Sequence, residues 1–113
     1  VFLNRSDYTG TNTKTGGWNR TTEEISTDLG KQTDQAFLNV EIALQQAGGK
    51  GWEQVYKIRC YSAPMSDEAI GHVFRNIEKY CPNHRPIITG IGVEKLAYEN
   101  MQVEIEVAAH LGP

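Results

Sequence analysis

The chain predicts a two-layer α+β fold, with two helices on one face of a mixed β-sheet, and three observations carry that prediction. Two segments, Ala36 to Ala47 and Ile70 to Cys81, repeat apolar residues at three- and four-residue steps. Three others, Glu53 to Tyr61, Ile87 to Val93 and Met101 to His110, are alternating or rich in β-branched residues. Their order is strands, helix, strand, helix and two closing strands, which suits a strand–helix–strand unit carrying both helices on one side. The 113 residues fit one domain, 1–113, that can bury a core and still gains from a partner subunit.

Residues 4–28 mix Thr with Gly10, Gly16, Gly17, Asn12 and Asn19, a composition of short strands and turns without a strong period. The first helix is expected from Asp28 or Gly30 to Ala47, with Ala36, Phe37, Val40, Ala43 and Leu44 inward and Gln32, Gln35, Asn39, Gln45 and Gln46 on its polar side. Asp28 suits the N-cap, and Gly48-Gly49 suits the left-handed stop. In the next strand, Tyr56, Ile58 and Cys60 should share one face and Val55, Lys57, Arg59 and Tyr61 the other. Ala63-Pro64-Met65 interrupts the chain, Ser66 caps a second helix, and Asp67 and Glu68 sit favourably in its first turn. Ile70, Val73, Phe74, Ile77 and Cys81 should line one side of it, and Pro82 closes it. Ile87 to Val93 and Met101 to His110 complete the sheet. No third apolar helix remains to cover its second face, so association through the sheet is expected.

Hydrophobic residues make up 39% and charged residues 22% of the chain, as in an ordinary folded domain. A net charge of −3 without a block of Lys or Arg leaves no electrostatic footprint for nucleic acid or an anionic membrane. No apolar run approaches the ~20 residues that span a bilayer, and Val1-Phe2-Leu3 is too short for a signal-peptide core, so the expected location is cytoplasmic, with an organelle matrix as the alternative. Cys60 and Cys81 are expected as buried free thiols. Cys81, His84 and His72 lack a second spaced pair, and no phosphate or dinucleotide loop is present, so neither metal nor cofactor is expected.

Glu104 and Glu106 fall two apart on the last strand, on one face and about 6.5–7 Å apart. Two readings stand. They belong to the exposed side of a half-buried strand, or Glu104 lies in a cleft, where a carboxylate accepts a proton from water as a nucleophile forms.

The run Arg85-Pro86-Ile87-Ile88-Thr89-Gly90-Ile91-Gly92-Val93, with Leu96-Ala97 and Val103-Glu104-Ile105-Glu106-Val107, resembles the RidA (YjgF) family. Gln32-Thr33, Ala36, Asn39, Leu44, Ala47-Gly48 and Val55-Tyr56-Lys57 extend the likeness over roughly residues 16–111. The resemblance implies a chorismate-mutase-like fold, a homotrimer with small-molecule clefts between subunits, and hydrolysis of reactive imines and enamines. It makes Glu104 the catalytic residue, holding the attacking water. It implies a ligand-binding set of Gly17, Trp18, Ile88, Thr89 and Gly90.

The chain also departs from the family. Ile88 stands where deaminating members carry an arginine that grips the substrate carboxylate, and isoleucine offers neither charge nor hydrogen bond. Gly90 replaces a frequent cysteine, and Gly71 stands where an asparagine is common. Arg85 is three residues before Ile88, so strand alternation aims it elsewhere. Gly16-Gly17-Trp18-Asn19 matches the turn after the family's second strand, where Trp18 either walls the cleft or simply packs. The opening Pro-Tyr-Ser segment has no counterpart, leaving Tyr8 as the candidate for the cleft tyrosine. The readings are then a hydrolase for substrates without the carboxylate, or a small-ligand binding protein without turnover. A ribonuclease, an activity attributed to some relatives, fits poorly with the acidic charge.

Overall fold

The structure, a computed structural model, describes residues 2–5, 10–22 and 24–110, with side chains from Gly16 onward. Tyr8 and the side chains of Thr13-Lys14-Thr15 lie outside the described residues. The elements are β1 (Phe2–Arg5), β2 (Gly10–Gly16), α1 (Leu29–Gln46), β3 (Val55–Ser62), α2 (Asp67–Tyr80), β4 (Ile87–Gly92) and β5 (Val103–His110). A single 3₁₀ turn, Gly51–Gln54, precedes β3. One five-stranded sheet runs in the order β1-β2-β5-β3-β4. It is mixed: β3 and β4 are parallel and the other pairs are antiparallel. The two-layer α+β arrangement expected from the sequence is the one observed.

Local chemistry fixes both helices. The Asp28 carboxylate accepts from the Lys31 N–H at 2.9 Å, and the Ser66 hydroxyl accepts from the Ala69 N–H at 3.0 Å, each such cap contributing about 1 kcal/mol. Helix α1 ends in a paired glycine stop. Gly48, at φ 93°, donates to the Gln45 carbonyl and Gly49 to the Leu44 carbonyl, both at 3.0 Å. This 5→2 and 6→1 pair closes the last carbonyls and needs a left-handed residue at Gly48. Helix α2 ends on Arg85, whose guanidinium donates to the Cys81 carbonyl at 2.6 Å and the His84 carbonyl at 3.1 Å. The Arg75–Asp34 ion pair at 2.8 Å and the Asn76 amide, donating to Asp34 at 2.9 Å, tie the helices together.

The core lies between the helices and one sheet face. Ala36, Phe37, Val40 and Leu44 of α1, with Val73 and Ile77 of α2, cover Ile58, Cys60, Val103, Ile105 and Val107. Trp52, from the 3₁₀ turn, stacks on Phe37 with ring centroids 4.7 Å apart and donates its indole N–H to the Phe37 carbonyl at 2.9 Å. That satisfied polar edge lets a large ring be buried completely.

Three expectations are corrected. The strand after α1 begins at Val55 rather than Glu53, and Val55 is in the core while Tyr56 is 52% exposed. The cause is a register slip: Val55 opposes Ala109 and Lys57 opposes Ala108, so Tyr56 is an extra residue and the alternation restarts. Gln32 and Asn39, assigned to the polar side of α1, are both fully buried. Ile70 and Phe74 turn aside from the core and remain 39% and 49% exposed.

Cys60 and Cys81 are free and buried. Burial pushes each thiol up to about 11, against a hydrogen bond from Ser62 at Cys60 and the Arg85 charge at Cys81. Since the thiolate is the nucleophile, iodoacetamide at pH 8 should leave both unmodified in the native protein and alkylate both after denaturation. Rapid native labelling, read by mass spectrometry, would contradict this burial.

Candidate functional site

The registers of β3, β4 and β5 decide where each candidate side chain faces. Ile58 pairs with Ile88 and Val107, and Cys60 with Gly90 and Ile105, so Ile88 and Gly90 belong to the helix-covered face. Tyr61 pairs with Glu104 and Ile91, and Arg59 with Thr89 and Glu106, so Glu104 and Thr89 belong to the open face. Within one chain, Glu104 and Ile88 are therefore on opposite sides of the sheet.

On the covered side, a cavity of about 320 Å³ lies between Ile70, Val73 and Phe74 of α2 and Ile88 and Gly90 of β4, with Met65 beside them. Cys60 and Ser62 of β3 complete its wall. Among the described residues, no cationic side chain lines it. Arg85, three residues before Ile88, is committed to the carbonyls at the end of α2. A Cβ at Gly90 would meet only Met65 Cε, at 3.5 Å, so a side chain would fit there. Gly71 is exposed, and a Cβ there would meet nothing within 4 Å.

On the open side, Glu104 is half-buried next to Glu106, which accepts from the Tyr61 hydroxyl at 2.9 Å. Glu104 also pairs with Gly16, the last residue of β2. A Cβ at Gly16 would lie 2.5 Å from Met101 Cε and 2.9 Å from the Trp18 ring, so the bare glycine lets both pack at this end of the sheet. Trp18 meets Tyr98 edge-on, with ring centroids 6.4 Å apart. The structure thus brings Gly17 and Trp18 to the β2–β5 end where Glu104 lies. Thr89 is on the same face, two strands away from Glu104's strand.

Two α1 side chains hold this end together. Gln32 uses all of its amide: Nε2 donates to the Ser26 and Asn100 carbonyls at 2.9 and 3.0 Å, and Oε1 accepts from the Gln102 and Val103 N–H groups at 2.6 and 3.1 Å. Asn39 Nδ2 donates to the Gly16 and Trp18 carbonyls at 2.9 and 2.8 Å. Gly17 rests on the Gln32 backbone, where a Cβ would overlap the carbonyl oxygen. The residue preceding Glu104 and the residue opposite it are thus both fixed from α1. Both amides belong to the side of α1 that the sequence marks as polar. The signal that finds them is phase, because Gln32, Ala36, Asn39 and Ala43 follow one helical stripe.

Among the described residues, no three His, Cys, Asp or Glu side chains converge as a metal site. His84 bonds to the Val55 carbonyl at 2.8 Å and His72 to Arg75 at 3.0 Å. Among the described residues, no helix is long and apolar enough to cross a membrane.

Comparison with known proteins follows the same lines. The family model described as Endoribonuclease L-PSP matches residues 11–111. A Rid-family protein of unknown function from Yersinia pestis shares 28% identity and a TM-score of 0.76, over 88% of this chain and 78% of that one. A YjgF/YER057c/UK114 family member from Mycobacterium tuberculosis shares 24% identity and a TM-score of 0.76, over 93% and 81%. RidA from an Antarctic Psychrobacter species superposes with a TM-score of 0.83 at 18% identity, over 94% and 84%. A search of curated protein sequences finds no match. The family model spanning nearly the whole chain, and a fold shared with these structures, place this protein in the L-PSP endoribonuclease family, the YjgF/RidA proteins.

Proposed function

We propose that the chain forms a cytoplasmic homotrimer with small-molecule clefts between subunits, and that it handles imine- or enamine-type metabolites while its 2-imino acid deaminase activity is reduced or lost. The observation that carries this reading is the cavity at Ile88, which among the described residues is lined by no cation where a substrate carboxylate would need one. Losing a charge-assisted hydrogen bond costs about 1.5–3 kcal/mol, so a 2-imino acid binds at least roughly ten-fold more weakly. The placement of Ile88 and Glu104 on opposite faces supports a cleft shared between copies: one subunit contributes its β4 cavity and another its Glu104 end. The open face of the sheet, with Ile87 72% exposed, is available for such association. Glu104 keeps the family role of holding the water that attacks an imine carbon.

A second reading is a small-ligand binding protein without turnover, favoured by Ile88, Gly90 and Gly71 in place of the family's polar set. The family description also names ribonuclease activity, but a net charge of −3 offers little to a phosphate backbone. Light scattering should give three times the mass of one chain. Glu104→Gln should abolish imine turnover and leave ligand affinity within about two-fold, since the amide keeps the shape but cannot accept the proton. Unchanged turnover in Glu104→Gln would remove Glu104 from the chemistry. Wild type that binds ligand with no turnover to lose would favour the second reading.

A further inference from the structure

We infer that the β4 cavity selects an uncharged, mainly apolar small molecule bearing one hydrogen-bonding group, a carbonyl or hydroxyl, which the Ser62 hydroxyl receives. This rests on reading the cavity as the ligand cleft, and adds to it the class of ligand.

The cavity wall states the selection in two parts. Ile70, Phe74, Ile88 and Met65 present hydrocarbon, an aromatic ring and a thioether. Ile70 and Phe74 line the cavity from a helix with a well-formed core stripe and stay 39% and 49% exposed, so an apolar ligand gains by covering them. An ionised carboxylate entering the same space gives up water and finds no guanidinium or ammonium, and an unpaired buried charge is strongly disfavoured.

Ser62 supplies the polar part. It lines the cavity and is only 2% exposed. The contact of its hydroxyl among the described residues is the Cys60 thiol at 3.9 Å, a weak sulfur partner. A hydroxyl in that position retains capacity for a stronger acceptor or donor, and a buried polar group gains by finding one. A small cavity with apolar walls and one convergent polar group is the usual construction of a small-molecule site.

Acetophenone and benzoate test this, since they share a ring and differ chiefly in a methyl ketone against a carboxylate. Titration of protein labelled with ¹³C at the isoleucine and methionine methyls reads Ile88, Ile70 and Met65 directly. Acetophenone should shift these methyls saturably, benzoate should bind at least about ten-fold more weakly, and Ser62→Ala should weaken acetophenone by roughly three-fold or more. Benzoate binding as tightly as acetophenone, or acetophenone indifferent to Ser62→Ala, overturns the ligand class while leaving the cleft in place. If neither probe shifts these methyls at millimolar concentration, the cavity is not the ligand cleft and both readings fall. The wild-type comparison of the two probes holds even if Ser62→Ala folds poorly.

Discussion

Gln32→Met should destabilise the protein by about 3–5 kcal/mol, a large share of the roughly 5–15 kcal/mol that a domain has in total. Methionine preserves the length, the apolar stem and the helix propensity of glutamine, so the change isolates the amide. Four backbone groups lose their partner at once: the Ser26 and Asn100 carbonyls and the Gln102 and Val103 N–H groups. The Val103 N–H is buried and its loss costs about 1–3 kcal/mol, while the other three bonds are part-buried, so the total stays below the simple sum as their loops relax toward water. Exposed Gln46, on the same helix, gives the control: its replacement by Met should stay within about 0.5 kcal/mol of wild type. Urea denaturation measures both, and a Gln32→Met loss under about 1 kcal/mol would show that the amide network does not hold the β2–β5 end.

Ile88→Arg is expected to have the second largest effect, as a change in what the protein binds. Residue 88 faces the covered side of β4, so a guanidinium there enters the cavity that lacks one. It offers a carboxylate two parallel N–H donors, and affinity for a 2-oxo or 2-imino acid should rise at least ten-fold by the same hydrogen-bond argument. Ile88 is partly buried against the core, so its loss removes apolar packing and should cost about 1–2 kcal/mol of stability. Calorimetric titration with 2-oxobutanoate, a stable analogue of the imine, checks the gain. Equal affinity in wild type and variant would mean that residue 88 does not contact the carboxylate.

Much of the fold is legible because local and long-range preferences agree. Asp28, Gly48-Gly49, Ser66 and Pro82 mark the helix ends by their own chemistry, and the inward residues of α1 and β5 fall where their periods place them. Tyr56 was not legible, since one inserted residue against Ala108 and Ala109 reverses the facing of its neighbours and leaves no mark in residue type. Gln32 and Asn39 were misplaced because polar residues in phase with an apolar stripe read as surface until their partners, far away in sequence, are known. The site divides in the same way. Each candidate's alternation is clear within its own strand, but only the register across β3 shows that Ile88 and Glu104 face opposite ways. Ser62 lies one residue past the strand expected from the sequence and is a candidate only through the cavity around it.

Among the described residues, the proposed cleft has no group to hold a carboxylate, and it keeps Glu104 for the attacking water. The most direct measurement is hydrolysis of 2-iminobutanoate, generated in situ from an amino acid, by wild type and by Ile88→Arg. Little or no turnover is expected from wild type, and at least a ten-fold gain in kcat/KM from Ile88→Arg, the factor that a restored charge-assisted bond supplies. Efficient turnover by wild type that Ile88→Arg fails to improve would contradict it, because another group would then be holding the carboxylate.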